Sequence, residues 1–158
     1  MGEGSTDGVV ANAGVLRPPL VFLGALLTGA ALEIIWPTSL VPAGLAVPGI
    51  VIVLLAVALF RSSLRQLRAA GTPVRGNAPT TAVVRTGPYR LSRNPIYVSF
   101  MLLQLGIALL ADSAWILATL LPAAALMACV VVPREERYLA RRFGREYADY
   151  RLSVRRWL

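Results

Sequence analysis

The chain has 158 residues, of which 56% are hydrophobic, and its 16 basic residues, all arginine, outnumber 8 acidic ones to give a net charge of +8. This length favours one domain, and a mean hydropathy of +0.64 excludes a disordered chain and argues against an ordinary soluble protein. Histidine is absent and Cys129 is the single cysteine. Histidine-based acid–base catalysis, disulfide frameworks and zinc sites are therefore excluded, and no metal site is expected.

Residues 1–16 are rich in glycine and alanine and predict a disordered tail before a single domain, 17–158. Four apolar stretches follow that are long enough, or nearly so, to cross a bilayer, which takes about 20 helical residues: 20–36, 41–60, 97–111 and 115–132. Short connectors predict that they form two helical hairpins. Uncharged runs without a polar face favour membrane spans over a soluble helical bundle. The predicted fold class is all-α, an integral membrane protein with four transmembrane helices as two hairpins plus a cytoplasmic amphipathic C-terminal helix.

The arginines are distributed unevenly among the segments that flank the predicted spans. They lie before the first span, between the second and third, and after the fourth, while the two short connectors carry none. By the positive-inside rule these regions, and both termini, face the cytoplasm. The charge is thus explained by topology and by attraction to anionic lipid headgroups, and no nucleic acid partner is expected. The arginine-only, alanine-rich composition points to a bacterium, so we expect a multi-pass protein of the bacterial inner membrane.

The loop before the third span is long for a small membrane protein, and long loops in compact domains tend to be functional. Residues 80–84 predict a short extended stretch, and residues 86–89 predict a turn. Asn94 and Pro95 are typical of a helix N-cap and a first helical position, so they predict the start of the third helix. Asn94 is either this cap or a ligand, and Tyr97 is either an interfacial anchor or a ligand.

Residues 133–150 predict one amphipathic helix at the membrane surface. Its apolar stripe consists of Leu139, Phe143, Tyr147 and Tyr150. Its expected i,i+4 ion pairs are Arg142 with Glu146 and Arg145 with Asp149. Glu135 and Glu136 have no cation at i+4, and adjacent carboxylates at the end of a span need a cationic partner. That partner is either a neighbouring arginine or a bound cation.

Two motifs stand in a fixed order on either side of the second hairpin. The first reads G-P-Y-R-x-x-R-N-P-x-Y over residues 87–97, and the second reads E-E-x-x-L-x-x-x-F-G-x-x-Y-x-x-Y over residues 135–150. In order and spacing they resemble the isoprenylcysteine carboxyl methyltransferase and phospholipid methyltransferase superfamily, and the resemblance covers about residues 71–158. It implies an integral membrane enzyme that uses S-adenosylmethionine, with a cofactor pocket built at the cytoplasmic face from segments 80–97 and 133–150.

The resemblance also implies roles for individual residues. The implied cofactor-binding residues are Thr81, Ala82, Val83, Val84, Tyr89, Asn94, Pro95, Ile96, Tyr97 and Glu135. Backbone groups and Asn94 suit the adenosine or amino-acid part, aromatic rings suit the sulfonium, and Glu135 suits the α-ammonium. The candidate catalytic residues are Glu136, which is placed to take a proton from an amine acceptor, and Arg134, which lies beside the acid pair.

Two departures leave the methyl acceptor open. Asn94 stands where carboxyl methyltransferases usually have histidine, and Val131 stands where the eukaryotic enzymes carry a substrate-binding arginine. We expect a lipophilic small-molecule or lipid substrate, which is either an isoprenylcysteine-type carboxylate or a phospholipid amine. The alternatives of other classes are a non-catalytic membrane scaffold that binds anionic lipid and a membrane reductase.

Overall fold

The computed structural model describes residues 17–40, 44–72 and 80–158, and within these ranges the chain is helical without a strand. The predicted tail, 1–16, lies outside the described residues. The helices are α1 (Pro18–Ile35), α2 (Ala46–Ala69), α3 (Pro95–Leu110), α4 (Ala114–Leu126), α5 (Val132–Phe143) and α6 (Arg145–Ser153). A 3₁₀ turn, Gly87–Arg90, precedes α3, and a π-helical turn, Met127–Val131, joins α4 to α5. The all-α prediction is confirmed, whereas the extended stretch expected at 80–84 is irregular chain.

Three helices are long and apolar enough to cross a membrane: α1, α2 and the continuous helix Ala114–Phe143 formed by α4 and α5. The fourth apolar helix, α3, has 16 residues and rises about 24 Å, which is less than the roughly 30 Å of a hydrocarbon core. Large apolar side chains along α1 and α2 are exposed, among them Leu20, Leu27, Ile34, Val47 and Leu54. Such faces are typical of helices that contact lipid.

The packing of the helices differs from two independent hairpins. α3 packs against α4 as predicted, but in the described chain α1 packs mainly along α4 and α2 along α3, and α1 and α2 hardly touch each other. Small residues explain this choice, because they let helix backbones approach closely. A Cβ on Gly29 of α1 would lie 2.7 Å from the Cα of Ile116 in α4. A Cβ on Gly106 of α3 would lie 3.0 Å from the carbonyl oxygen of Gly49 in α2.

The single acid within the first span, Glu33, has local partners. Its carboxylate accepts hydrogen bonds from Thr38, at 2.7 Å from the threonine hydroxyl, and from the Ser113 hydroxyl. The neighbouring Asp112 carboxylate accepts a 2.9 Å bond from the Leu40 backbone N–H. These bonds tie the segment after α1 to the turn between α3 and α4, at the end of the bundle opposite the two motifs. A carboxylate near the end of a membrane span is stabilised by such hydrogen-bond donors.

The C-terminal helical region is more broken than the sequence predicts. Pro133 lacks an N–H, and just before it the Val132 N–H reaches back five residues to the Met127 carbonyl, so the helix widens rather than kinks. Gly144 has φ 50° and ψ −120°, a conformation that suits glycine alone, and it separates α5 from α6. The prediction of one amphipathic helix is therefore wrong. Neither of the expected ion pairs, Arg142 with Glu146 and Arg145 with Asp149, is present among the described residues. Glu146 pairs instead with Arg85 at 3.9 Å.

Candidate active site

The two motif segments meet where α5 passes the start of α3. The Tyr97 hydroxyl, in the first turn of α3, donates a 2.6 Å hydrogen bond to Oε1 of Glu135. Both residues are half-buried, so the pair lies at the edge of the bundle rather than in its sealed interior. An aromatic and an acidic residue that the sequence singles out as ligands are thus direct neighbours across 38 positions of the chain.

Tyr89 lies in the 3₁₀ turn that precedes α3 and is buried. Its carbonyl oxygen accepts a 2.8 Å hydrogen bond from the hydroxyl of Tyr150 in α6. Burial raises the pKa of the Tyr89 hydroxyl, and the charges of Tyr150 and Glu135 raise it further. Tyr89 therefore keeps its proton near neutral pH and offers a hydrogen-bond donor and an aromatic face close to Glu135.

The tyrosines of α6 hold this helix against the first motif. Burial, with a smaller effect of Glu136, raises the pKa of Tyr147 to about 12. Burial also raises the pKa of Tyr150, whose ring lies 5.8 Å from the Arg85 guanidinium carbon. Both phenols stay neutral at physiological pH and serve as packing and hydrogen-bonding groups.

The second acid of the pair, Glu136, has the cationic partner that the sequence calls for. It is 6% exposed. Its Oε1 lies 3.2 Å from Nη2 of Arg93, and its Oε2 lies 2.6 Å from Nη2 of Arg156. The hydrogen bond to Glu136 raises the pKa of Arg156. Of the two partners predicted, a neighbouring arginine and a bound cation, the structure shows arginine.

This cluster carries more positive than negative charge, because two guanidinium groups share one carboxylate. The side chain of Arg93 is 10% exposed. Its Nε and Nη1 atoms are buried and have no hydrogen-bond partner among the described residues. The Arg93 guanidinium also lies beside the Tyr147 phenol, where it lowers the pKa of that group.

Asn94 and Pro95 start α3 as predicted, and Pro95 is fully buried. The Asn94 side chain, however, does not cap the helix. Its Nδ2 donates a 3.0 Å hydrogen bond to the carbonyl oxygen of Arg156, beyond the end of α6. The expected capping bond is thus replaced by a tertiary one, whereas the Ser92 hydroxyl accepts a 3.1 Å bond from the Asn94 N–H.

The segment 80–86 runs along the end of α2. The Thr81 hydroxyl bonds to the Gly71 carbonyl at 3.1 Å, and the Thr86 hydroxyl bonds to Gln66 at 2.6 Å. The three predicted site residues that follow Thr81 are half-buried and irregular: Ala82, Val83 and Val84. Side chains of this segment therefore fix its path, while its irregular backbone is left without strand pairing.

The remaining candidates are separated by their exposure. Ile96 is half-buried, and its carbonyl accepts a 2.6 Å bond from the Ser99 hydroxyl. Arg134 is exposed, in contrast to Glu136 two residues further on. The structure therefore places Arg134 at the surface of α5 and not with the buried ion pairs.

An apolar cluster lies beneath the Tyr97–Glu135 pair. Tyr97 packs against a buried group formed by Phe22, Ala123, Met127 and Val131. The ring of Phe100, one turn further along α3, lies 5.5 Å from those of Phe22 and Phe60. One carboxylate beside neutral phenols and an apolar wall suits a small cationic group, since aromatic faces and a carboxylate both attract cations. No group of three possible metal ligands occurs in the described part of the chain.

Sequence reasoning missed the role of Arg156. Arg156 lies outside both motifs. The one indication in the sequence was that Glu136 has no cation at i+4, so its partner had to come from elsewhere in the chain. Ser92 was also missed. It is fully buried, and its hydroxyl contacts the Arg156 carbonyl at 3.3 Å.

Comparison with known proteins bears on the whole of this site. A 68-residue part of the chain is 41% identical to the cobalt-zinc-cadmium resistance protein CzcN of Cupriavidus metallidurans, a match that covers 43% of this chain and 31% of that protein. The chain thus spans only about a third of the length of that relative. A family model described as phospholipid methyltransferase matches residues 45–146, well over half of the chain and including both Tyr97 and Glu135. The chain belongs to the phospholipid methyltransferase family.

Proposed function

We propose that this protein is an S-adenosylmethionine-dependent methyltransferase that acts on a lipophilic acceptor at the cytoplasmic face of a bacterial inner membrane. The observation that carries the proposal is the 2.6 Å contact between Tyr97 and Glu135, which joins the two motif segments within the region of the family match. The apolar helices support a membrane location. The arginines between the second and third spans and after the fourth support the cytoplasmic orientation.

The acidic and aromatic side chains of the site suit the positive charges of this cofactor. S-adenosylmethionine, when bound, supplies an electrophilic methyl group on a sulfonium. Glu135 would accept hydrogen bonds from the α-ammonium, and the rings of Tyr89 and Tyr97 would provide faces for the sulfonium. The backbone of residues 81–84, which forms no strand pairing, would offer hydrogen bonds to the adenosine part.

The charged residues around the site have different roles in this proposal. Methyl transfer needs chiefly the alignment of donor and acceptor, which the contact between Tyr97 and Glu135 would support. Glu136 is buried with its oxygens engaged by Arg93 and Arg156. We therefore assign it to positioning rather than to proton transfer. Arg134 is exposed beside the pair and is assigned to anionic headgroups or to the anionic part of the acceptor.

A phospholipid amine is the acceptor that the described residues favour over a carboxylate. Val131, the position expected to carry an arginine for a carboxylate substrate, is 1% exposed within the apolar cluster around Met127 and Phe22. A carboxylate acceptor would find no cation there. An amine acceptor must lose its proton before attack, and with Glu136 engaged we assign that proton to water at the half-buried edge of the site.

The test uses the purified protein in lipid nanodiscs. Calorimetry with S-adenosylhomocysteine measures cofactor binding, and transfer of radiolabelled methyl is compared between extracted amine phospholipids and a farnesylcysteine analogue. Binding together with labelling of the amine lipids is expected. Labelling of the farnesylcysteine analogue alone would replace the amine with a carboxylate acceptor. A folded protein that binds no S-adenosylhomocysteine would overturn the proposal and favour a non-catalytic scaffold on anionic lipid.

A further inference from the structure

The chain beyond α6 turns back across the first motif. We call residues 154–157 the strap. Its carbonyl groups receive three hydrogen bonds from a single turn: the Arg93 N–H bonds to Arg155 at 3.0 Å, and Arg156 accepts from the Ser92 hydroxyl at 3.3 Å and from Asn94 Nδ2 at 3.0 Å. The strap thus fixes the turn that leads into α3.

The side chain of Arg156 reaches in the other direction, to the second motif. Its Nη2 lies 2.6 Å from Oε2 of Glu136 and its Nε lies 3.1 Å from Oε1, which is a bidentate contact. The carboxylate is buried while the arginine is about two-fifths exposed, so the guanidinium closes over the acid from outside. Bidentate contacts of this kind fix direction as well as distance.

One residue therefore holds both motif segments. The Arg156 backbone binds Asn94, three positions before Tyr97, and its side chain binds Glu136, one position after Glu135. Tyr97 and Glu135 meet between these two attachment points. The next residue, Trp157, packs against the apolar cluster that also contacts Tyr97, so the strap is anchored at its end.

We infer that Arg156 is a positioning residue that sets the relative placement of Tyr97 and Glu135 through Asn94 and Glu136. The inference rests on the proposed function for its consequence in binding and catalysis. The contacts themselves belong to the folded chain. Without the guanidinium, Glu136 keeps its 3.2 Å contact with Arg93 but loses the bidentate contact to the strap. The spacing of the Tyr97–Glu135 pair is then less tightly fixed.

The test compares three variants. Arg156→Ala removes the side chain, Arg156→Lys keeps the charge without the bidentate geometry, and Arg155→Ala removes a neighbouring exposed arginine while keeping its carbonyl. For each, we measure S-adenosylhomocysteine affinity, kcat and KM, thermal stability, and amide hydrogen exchange of residues 92–97. We expect affinity or kcat to fall at least about tenfold in Arg156→Ala and about threefold in Arg156→Lys, while Arg155→Ala stays within about twofold of the parent.

The outcomes separate positioning from mere stability. A folded Arg156→Ala protein with parental affinity and kcat overturns the inference, even if its melting temperature is lower. If Arg156→Ala does not fold, Arg156→Lys decides: a loss supports the inference and parental values overturn it. If the parent itself binds no S-adenosylhomocysteine, the proposed function fails. Faster exchange of residues 92–97 in the Arg156 variants then still supports the positioning of that turn, and unchanged exchange overturns it.

Discussion

The Tyr97 hydroxyl donates a hydrogen bond to the Glu135 carboxylate across 2.6 Å, and this bond joins the first turn of α3 to the first turn of α5. Tyr97 donates from the side of α3, so it fixes the direction in which the Glu135 carboxylate is presented. Under the proposed function, this carboxylate would accept hydrogen bonds from the α-ammonium of the cofactor.

Tyr97→Phe removes this donor and leaves the ring in place. Because hydrogen bonds to charged groups contribute about 1.5–3 kcal/mol, we expect S-adenosylhomocysteine to bind about tenfold more weakly, as measured by calorimetry. Tyr138→Phe is the matched control, since the Tyr138 hydroxyl is buried without a partner among the described residues and its removal costs no such bond. Equal affinities in the two variants would contradict the role given to Tyr97.

Glu135→Gln keeps the size of the side chain and removes its charge. We expect affinity for S-adenosylhomocysteine to fall by at least about tenfold, or 1.4 kcal/mol, because an amide no longer attracts the α-ammonium. Asp149→Asn serves as the control, because it also replaces a carboxylate by an amide, but at an exposed position on α6. This variant should bind S-adenosylhomocysteine like the parent.

Glu136→Gln tests the buried ion cluster by stability rather than by binding. Removing the carboxylate charge leaves the buried guanidinium of Arg93 uncompensated, which costs about 3–5 kcal/mol, whereas Arg156 is 38% exposed and is compensated by solvent. Glu146→Gln is the control, because its pair with Arg85 is 3.9 Å long and solvent-exposed and contributes less than about 1 kcal/mol. Denaturant titration in mild detergent measures the free energy of unfolding of both variants. Similar losses would mean that Glu136 contributes no more to stability than an exposed ion pair.

Gly29→Ala tests the close approach of α1 to α4. A Cβ at this position meets the backbone of Ile116 at 2.7 Å, which cannot move aside like a side chain, so we expect a loss of about 1–3 kcal/mol in stability. Gly24→Ala lies one and a half turns earlier on the same helix, where a Cβ meets nothing within 4 Å. It should be neutral or stabilising by up to about 1 kcal/mol, because alanine is the better helix former. A thermal shift assay that ranks both variants alike would place the α1–α4 contact elsewhere.

Much of the architecture was predictable because it follows from local chemistry. Uncharged apolar runs indicate helices wherever they occur, and Asn94-Pro95 marks a helix start through the fixed φ of proline. The resemblance of the two motifs to the methyltransferase superfamily also grouped Tyr97 with Glu135, and the structure brings these two residues into contact. The prediction failed for the helix after residue 132. The stripe of apolar residues continues across Gly144, but the helical backbone is interrupted there.

The sequence by itself determined the helical class, the apolar helices, the clustering of arginines on alternate connectors and the two motifs with their acidic and aromatic residues. Only the tertiary structure decided that α1 packs on α4 rather than on α2, that Asn94 bonds to the strap rather than to its own helix, and that Arg156 closes over Glu136. The physical reason is separation along the chain. Helix formation and charge placement depend on neighbours within a few residues, whereas Asn94 and Arg156 are 62 residues apart and meet only when the bundle has formed.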